Sequence, residues 1–520
     1  MKAEDSARTQ PAFVWGAFAG YIALVVTVAL HHEMWRDEVR ALSVAKGTVS
    51  WGALLAQLPQ EGHPILWYAV LRAGFAAAHS NAILPVAALA IAAAAAWLIL
   101  RYAPFPPWLR FLAVFGAFLG YELSVSARNY GIGVLLMILS CIAFRRRRES
   151  PLVLGVLLLL LANTSIHGAV ATLLILLYWA LDVIGSKSDS NQYSTGTLGA
   201  FLIACAGIAF ALFSAKPTPD MAWAVSLGTL DYGKVVKSIL MDPGKGLLGH
   251  KTTSITAVSE LPWRLAGIDS AIASRIIVDL CIAWLFWSLR KHGRALITLA
   301  VAIIGFEIFF RNIYTAGLRH EGILLFLIFS ICWMETERAN DSPRIALGLL
   351  PFFALQAIAL VFLVHRAIAY PESSSKAYGE FIRGNPRYAN AILMSEPDYL
   401  MESLPYYVPN PIFMPRQSEL TDHVYFGTTG RRRADLTLAQ LMTTADSVSC
   451  AAKRPVLLAI GYPLFQYQPA GVGYPLYRGL TFTWVEADWV RLGARRPVAS
   501  FPIATSDEFY RVYEIAPKCG

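Results

Sequence analysis

The sequence predicts a mainly α-helical membrane bundle of many spans, followed by a soluble α/β domain at its C-terminal end. Hydrophobic residues make up 56% of the chain and charged residues only 15%, against roughly 25% in soluble domains. Long apolar runs recur up to residue 366. Beyond it the chain becomes rich in proline, tyrosine and charged residues, which indicates a separate domain over 367–520.

The apolar runs set the number of spans. A bilayer core of roughly 30 Å is crossed by about 20 apolar residues as a helix, and about eleven runs approach that length. These runs are 13–30, 82–100, 109–126, 130–144, 151–166, 168–184, 197–214, 271–289, 295–310, 321–335 and 345–366. The stretch 64–79 is shorter, contains Arg72 and places Trp67 and Tyr68 on one side, so it predicts a helix lying in the interface.

The basic residues orient the spans. The net charge is +9, but Lys and Arg are spread over short loops and form no solvated basic domain, which argues against nucleic-acid binding. If 64–79 does not span, every strongly basic loop falls on one side, which the positive-inside rule makes cytoplasmic. Those loops contain Arg101, Arg110, the arginines of 145–148, Lys187, Arg290, Lys291, Arg294, Arg338 and Arg344. The domain 367–520 is then periplasmic, on the outer side of a cell inner membrane.

The first run, 13–30, predicts an uncleaved signal anchor, because no small-residue cleavage site precedes His31. Within 367–520, short apolar runs alternate with a helix-like stretch, which is typical of βαβ units. The predicted strands are 391–394, 411–414, 456–460, 481–485 and 509–515, and the helix is 436–451. Cys450 and Cys519 can pair if this domain is extracytoplasmic.

Polar residues gather in the loops predicted to face outward. The first loop, 31–81, starts with an acidic, aromatic turn and ends just before the interfacial helix, and a second large outer loop covers 215–270. Within it, 231–241 is either another interfacial helix or a plain connection. The outward residues that can do chemistry or line a cavity are Glu33, Trp35, Asp37, Glu38, His63, Tyr68, Arg128, Tyr130, His167, Arg319 and His320.

These residue types suit displacement at a sugar carbon that carries a phosphate leaving group. Asp37 can accept the proton of an acceptor hydroxyl as general base. Arg128 and Arg319 can bind the departing phosphate through charge-assisted hydrogen bonds, and His63 can add a donor. The non-functional alternative for Asp37 and Glu38 is a solvated turn. Arg275 with Asp279, and Glu307 with Arg311, can likewise be explained as structural ion pairs, since ionisable groups in spans usually pair.

Four stretches resemble the GT-C membrane glycosyltransferases, and within them the family 39-type enzymes, which include protein O-mannosyltransferases, lipid A aminoarabinose transferases and galacturonosyltransferases. They are Trp35-Arg36-Asp37-Glu38, the segment 62–68 with His63-Pro64, Arg128-Asn129-Tyr130, and Leu318-Arg319-His320-Glu321-Gly322. The resemblance covers about residues 13–366. It implies a polyprenyl-phosphate-linked sugar donor, an inverting mechanism and an acceptor that is a glycolipid such as lipopolysaccharide, a polysaccharide or a protein.

By the same resemblance, Asp37 matches the catalytic aspartate and Glu38 its acidic neighbour. His63, Arg128, Arg319 and His320 are expected to bind the donor phosphate, and Trp35, Tyr68, Tyr130 and His167 to line the acceptor cavity. Some relatives use a divalent cation and others do not. Asp37 and Glu38, with Glu33, could supply oxygen ligands to Mg²⁺ or Mn²⁺. The other functions open from the sequence are a transporter or flippase of a lipid-linked saccharide and a non-catalytic scaffold.

Overall fold

The computed structural model describes residues 11–185, 195–217, 270–312, 317–426, 432–462, 464, 469–473, 480–517 and 519. The predicted outer loop 215–270, with its 231–241 segment, therefore lies almost entirely outside the described residues. The side chains of Arg275 and Arg311 lie outside them as well, so the two ion pairs expected within spans stay predictions.

The N-terminal part is a bundle of helices, as the apolar runs predict. Its helices are α1 (Pro11–His31), α2 (Arg36–Gly47), α3 (Trp51–Glu61), α4 (Leu66–Ala78), α5 (Ile83–Tyr102), α6 (Pro107–Val114), α7 (Tyr130–Phe144), α8 (Pro151–Ala162), α9 (Ile166–Gly185), α10 (Thr195–Ser214), α11 (Ser270–Ser288), α12 (Gly293–Asn312), α13 (Leu318–Ala339) and α14 (Ser342–Ala369). One apolar core joins α1 and the helices from α5 to α14. Large apolar side chains such as Leu202 and Val361 face outward, as expected where helices meet lipid.

The spans differ in length. Within the described ranges, six helices are long and apolar enough to cross a membrane, and four shorter helices are also apolar. The number of about eleven spans therefore stays a prediction. The predicted run 109–126 is not one helix: α6 ends at Val114, a π-helix follows at Phe118–Glu122, and a loop leads to α7. That break allows residues 123–129 to return toward the start of α2.

The basic loops meet at one end of the bundle. Arg147 and Arg294 both pair with Asp182, at 2.8 and 2.5 Å. Helices α7 and α13 begin at the polar outer loops and end near this basic cluster, so the two sets of residues occupy opposite helix ends. The strongly basic loops thus lie at the helix ends opposite the polar loops, in agreement with the charge distribution on which the predicted orientation depends.

The first loop folds into three short helices with their own apolar cluster. Ser50 caps α3, since its hydroxyl accepts a hydrogen bond from the Ala53 N–H at 3.1 Å. Gly62, with φ of 65°, ends α3 in the left-handed conformation that glycine adopts without strain. Helix α4 then buries Trp67, Tyr68 and Leu71, the apolar side predicted for the interfacial helix.

The C-terminal part is α/β, as predicted. Its helices are α15 (Ser375–Arg383), α16 (Leu404–Tyr407), α17 (Leu438–Ala452) and α18 (Glu486–Gly493), and its strands are β1 (Ile392–Glu396), β2 (Phe413–Met414), β3 (Glu419–Leu420), β4 (Asp435–Thr437), β5 (Val456–Ile460), β6 (Gly471–Gly473), β7 (Thr481–Trp484), β8 (Ala499–Phe501) and β9 (Tyr510–Ile515). The main sheet has the order β1-β5-β9-β8. Strands β1 and β5 are parallel with α17 between them in sequence, so the predicted βαβ unit is present. Cys450 and Cys519 form a disulfide.

Candidate functional site

The start of α2 is organised around Glu38. Its carboxylate is fully buried and accepts hydrogen bonds from the Trp35 N–H at 3.1 Å and from the Ala127 N–H at 2.5 Å. The His32 ring lies 3.0 Å from the same carboxylate. One buried carboxylate therefore contacts the end of α1, the start of α2 and the loop before α7. Asp37 and Arg128 follow from this, because they are the sequence neighbours of Glu38 and Ala127 and are brought close together.

Asp37 lies among three arginines. Its Oδ2 is 3.0 Å from Arg128 Nη1 and 3.8 Å from Arg319 Nη1, and its Oδ1 is 3.8 Å from Arg36 Nε. Burial alone would raise the pKa of the Asp37 carboxyl, but the charges of Arg128, Arg36 and Arg319 outweigh it and lower that pKa to about 2. Asp37 is thus ionised at neutral pH, and its side chain remains 33% exposed.

Arg319 connects Asp37 to a second carboxylate. Its Nε lies 3.5 Å from Glu122 Oε1, and its guanidinium lies over the Trp35 ring at 5.3 Å from the ring centre. Asp37 and Arg319 are both in the first turn of their helices, α2 and α13. Because helix N-termini carry partial positive charge, these two ends add to the attraction that the arginines exert on an anion.

Two cavities flank this cluster. The first has a volume of about 180 Å³ and contains Arg319 and Trp35 in its wall. Its other lining residues are His32, Tyr121, Glu122, Ser126, Leu363, Arg366 and Glu372. The second, of about 110 Å³, is lined by Asp37 and Arg128. Its other lining residues are Arg40, Ala41, Glu61, His63, Trp67, Tyr68, Asn129 and Phe426. The aspartate and Arg319 thus face different cavities while lying within ion-pair distance of each other.

Tyr130, His167 and His320 form a packed group instead of lining either of these two cavities. His320 Nδ1 accepts a hydrogen bond from the Gly317 N–H at 2.8 Å, which places the ring proton on Nε2. That Nε2 lies 2.8 Å from the Tyr130 hydroxyl, and the His167 ring stacks on His320 at 4.6 Å. These contacts cap α13 and fix Tyr130 in the interior, where all three side chains are almost completely buried.

His63 lies in the second cavity with Asp37, whereas Arg319 belongs to the first. Burial and the nearby charge of Arg128 lower the pKa of the His63 imidazole to about 3, so the ring is neutral at physiological pH. A neutral ring can still donate or accept one hydrogen bond, but it adds no charge toward a phosphate. The buried Nδ1 has no hydrogen-bond partner among the described residues.

The C-terminal part contacts the site directly. Arg36 pairs with Asp507, and Arg40 pairs with Glu402 and, at 2.7 Å, with Glu61. Phe426 lies under Arg40, with the guanidinium 4.1 Å from the ring centre, and lines the second cavity. The C-terminal part therefore forms one wall of the candidate site.

The described residues around Asp37 and Glu38 do not form a metal site. Among the described residues, no group of three or more His, Cys, Asp and Glu is arranged to hold a metal ion. The ligands expected from the sequence are Asp37 and Glu38, but Asp37 faces three arginines and Glu38 is saturated by N–H donors and His32. The neighbouring arginines oppose the binding of a divalent ion here.

The sequence predicted that Asp37, Arg128 and Arg319 lie close together. The structure places each arginine within ion-pair distance of Asp37. Sequence reasoning missed Arg366, Glu372 and His32, which line the first cavity, and Arg36 and Arg40, which join the two parts. Arg366 lies near the end of the last apolar run, where a basic residue resembles an ordinary helix terminus. The Trp35-Arg36 turn did contain a signal, since a basic residue beside the acidic pair invites an ion-pair partner.

No protein-family model matches the chain, and no curated protein matches its sequence. Among solved structures, the chain is similar to ArnT from Cupriavidus metallidurans in the apo state, with 11% identity and a TM-score of 0.45 over 97% of this chain and 99% of that one. The chain is also similar to ArnT from the same organism bound to undecaprenyl phosphate, with 12% identity and a TM-score of 0.40 over 97% of this chain and 98% of that one. The apolar helices of this chain indicate a multi-pass membrane protein, and its charged cluster lies between two cavities at one end of the helices.

Proposed function

We propose that this protein is a membrane glycosyltransferase that moves a sugar from a polyprenyl-phosphate carrier to a cell-envelope acceptor on the outer face of the membrane. The observation that carries the proposal is Asp37, ionised and partly exposed, between Arg128 and Arg319 at the junction of two cavities. A base beside phosphate-binding cations is what transfer from a phosphorylated sugar requires. The family resemblance of the same four segments supports it.

The reaction follows from this placement. The acceptor hydroxyl attacks the sugar carbon that bears the phosphate, and its proton passes to the Asp37 carboxylate. The bond from that carbon to the phosphate oxygen breaks, and its electron pair leaves with the polyprenyl phosphate. Attack from the side opposite the phosphate inverts the configuration at the carbon. The low pKa of Asp37 means that proton transfer is late, when the forming bond has made the hydroxyl strongly acidic.

The arginines link donor binding to the base. A phosphate in the first cavity that accepts hydrogen bonds from Arg319 partly neutralises one of the charges that lower the pKa of Asp37. That pKa therefore rises when the donor binds, and Asp37 becomes a stronger base when it is needed. As negative charge grows on the departing phosphate, Arg319 and Arg366 stabilise it more strongly, which lowers the barrier rather than only tightening binding.

We assign the two substrates to the two cavities. The first cavity has two cations, Arg319 and Arg366, beside two carboxylates, Glu122 and Glu372. Leu363 of the terminal span lies in the same wall, so a phosphate held by the arginines could be joined to a lipid chain along that span. Asp37 faces the second cavity with aromatic Trp67, Tyr68 and Phe426, which suits a polar acceptor group held against rings. His63, Tyr68 and Trp35 are then substrate contacts, whereas Glu38, Tyr130, His167 and His320 position the groups that react.

The test uses undecaprenyl phosphate as the probe. Wild-type protein in nanodiscs should bind it, and Arg319→Gln should weaken binding at least about tenfold, since a charge-assisted bond is worth roughly 1.5 to 3 kcal/mol. Arg387→Gln removes an exposed arginine of the C-terminal part and should bind like wild type. Equal affinity for all three proteins would contradict the donor site.

Envelope analysis of a deletion strain completes the test. The strain should lack one sugar modification, and wild-type protein should restore it. Accumulation of the lipid-linked sugar on the inner side of the membrane, with no transfer defect once the donor is supplied outside, would indicate a flippase and contradict the transferase.

A further inference from the structure

The start of α2 is held by a carboxylate from the far end of the chain. The N–H of Arg36, in the first turn of that helix, donates a 2.7 Å hydrogen bond to Glu508 Oε1. A helix leaves its first N–H groups without intrahelical acceptors, so a carboxylate there both satisfies a donor and interacts favourably with the helix dipole. Glu508 is fully buried, which indicates that this contact is part of the packed structure.

The Arg36 side chain is enclosed by the same segment. Its Nη1 pairs with Asp507 and lies 3.6 Å from Glu508 Oε1. Its guanidinium lies over the rings of Trp35 at 5.4 Å and Tyr399 at 4.9 Å. Four neighbours thus hold a guanidinium that is only 7% exposed, and two of the four are carboxylates from the C-terminal part.

The position of Arg36 matters for Asp37. Its Nε lies 3.8 Å from Asp37 Oδ1, beyond a direct hydrogen bond, while Arg128 lies at 3.0 Å from Oδ2. Arg128 therefore forms the close pair with Asp37, and Arg36 contributes a positive charge at longer range. Without Asp507 and Glu508, the Arg36 guanidinium would lose the ion pairs that fix its distance from Asp37.

We propose that Asp507 and Glu508 are positioning residues of the transferase site: they fix the position of Arg36 beside Asp37 and hold the first turn of α2 from the C-terminal part. This inference rests on the proposed function only for its effect on turnover. The holding of α2 itself is a property of the fold and can be measured without a substrate.

The contact of Glu508 with Arg36 at the start of α2 depends on pH because of the groups that face Glu508. They are the guanidinium and N–H of Arg36, the carboxylate of Asp507, and the hydroxyls of Ser373 and Ser375, the latter also bonded to Tyr510. Burial raises the pKa of the Glu508 carboxyl to about 7, against the opposing charge of Arg36. Below that pH Glu508 loses its charge, Asp507 alone pairs with Arg36, and turnover should fall.

The experiment compares Asp507→Asn/Glu508→Gln, which removes both charges and keeps the shape, with Glu514→Gln. Glu514 belongs to β9 and pairs with the exposed Arg387, so this control removes a charge from the same segment away from Arg36. Full-length proteins in nanodiscs are compared by hydrogen exchange of the amides in 36–47. We expect exchange there to rise at least threefold in the double variant and to stay unchanged in the control.

Turnover supplies the second readout. The double variant should lose at least tenfold in kcat with the donor KM unchanged, and the decline of the wild-type rate below about pH 7 should be absent from its profile. The single variant Asp507→Glu, which keeps the negative charge at position 507, should keep most of the wild-type kcat. If the double variant does not fold, Asp507→Asn alone, at a partly exposed carboxylate, should show a smaller rise in exchange and a smaller loss of kcat, and it should keep the decline below about pH 7 because Glu508 is still present.

Exchange and turnover that match the Glu514→Gln control would overturn the proposal. A wild-type protein without transfer activity would instead contradict the proposed function, and the exchange data would still decide whether the two carboxylates hold α2.

Discussion

Glu38 accepts a hydrogen bond from the N–H of Ala127 at 2.5 Å, and this contact joins the first outer loop to the loop that carries Arg128. The same carboxylate binds the Trp35 N–H, so the two chain segments that supply Asp37 and Arg128 share one buried acceptor. The acidic pair of the sequence thus has two roles in the structure. Asp37 is partly exposed at the cavity, and Glu38, its buried neighbour, sets the position of the groups around it.

Replacement of Glu38 should destabilise the protein. Glu38→Ala leaves the N–H groups of Trp35 and Ala127 buried without an acceptor, and unsatisfied buried donors cost about 1 to 3 kcal/mol each. We expect a loss of about 3 kcal/mol in the free energy of unfolding, measured by denaturant titration in mixed micelles. Glu514→Ala, which breaks an ion pair with an exposed partner, should cost less than about 1 kcal/mol. Similar losses in both variants would contradict the role of Glu38.

Removal of Arg128 should make activity sensitive to acid. Arg128 provides the largest of the charges that lower the pKa of Asp37 to about 2, so Arg128→Gln should raise that pKa. A depressed carboxyl pKa keeps the base ionised until the pH falls through it. The variant should therefore lose activity at a higher pH than wild type as the solution is acidified, in addition to its lower rate. The two proteins are compared in a Glu508→Gln background, which removes the decline assigned to Glu508, and identical acid limbs between pH 3 and 8 would show that Asp37 does not titrate with activity.

His320 should contribute to packing more than to phosphate binding. Its two ring nitrogens contact Gly317 and Tyr130, and neither cavity is lined by it. His320→Gln should lower the thermal unfolding temperature and leave the affinity for undecaprenyl phosphate within about twofold of wild type, since a twofold change is about 0.4 kcal/mol. A tenfold loss of affinity without a loss of stability would return His320 to the phosphate site, where the sequence resemblance places it.

The pair of His32 and Glu38 should make stability depend on pH. Burial opposes the charged imidazole, but the Glu38 carboxylate more than compensates, so the pKa of His32 is raised above its ordinary value of 6.5. A raised histidine pKa contributes stability that is present below the ordinary value and is lost as the pH rises through the folded-state value. Wild-type protein should thus lose more unfolding free energy than His32→Gln between pH 6 and 9. Parallel losses would exclude a charged His32.

The apolar runs predicted most helices because length and hydropathy are local properties, and the strands of the C-terminal part followed from short apolar stretches in the same way. The break between α6 and α7 was missed, since residues 111–121 contain no charged residue and their irregular backbone depends on packing against α14. Asp37, Arg128 and Arg319 could be found because each lies in a polar turn between spans.

The contacts of Arg36 with Asp507 and Glu508 could not be predicted. Residues 36 and 508 are 472 positions apart, and no local pattern links a turn in the first loop to a segment before the last strand. The division of the site into two cavities was also beyond the sequence. It depends on where Leu363 and Arg366 of α14 and Phe426 of the C-terminal part come to lie.

The most direct test of the central claim is a single-turnover measurement with Asp37→Asn, in membranes that contain the native donor and acceptor. The substitution keeps the shape of the side chain and removes its ability to accept a proton, so we predict a transfer rate at least a hundredfold lower, as expected for the loss of a general base. Binding of undecaprenyl phosphate and the unfolding temperature should stay close to the wild-type values. A transfer rate within a few fold of wild type would contradict the assignment of Asp37 as the base on which the proposed reaction depends.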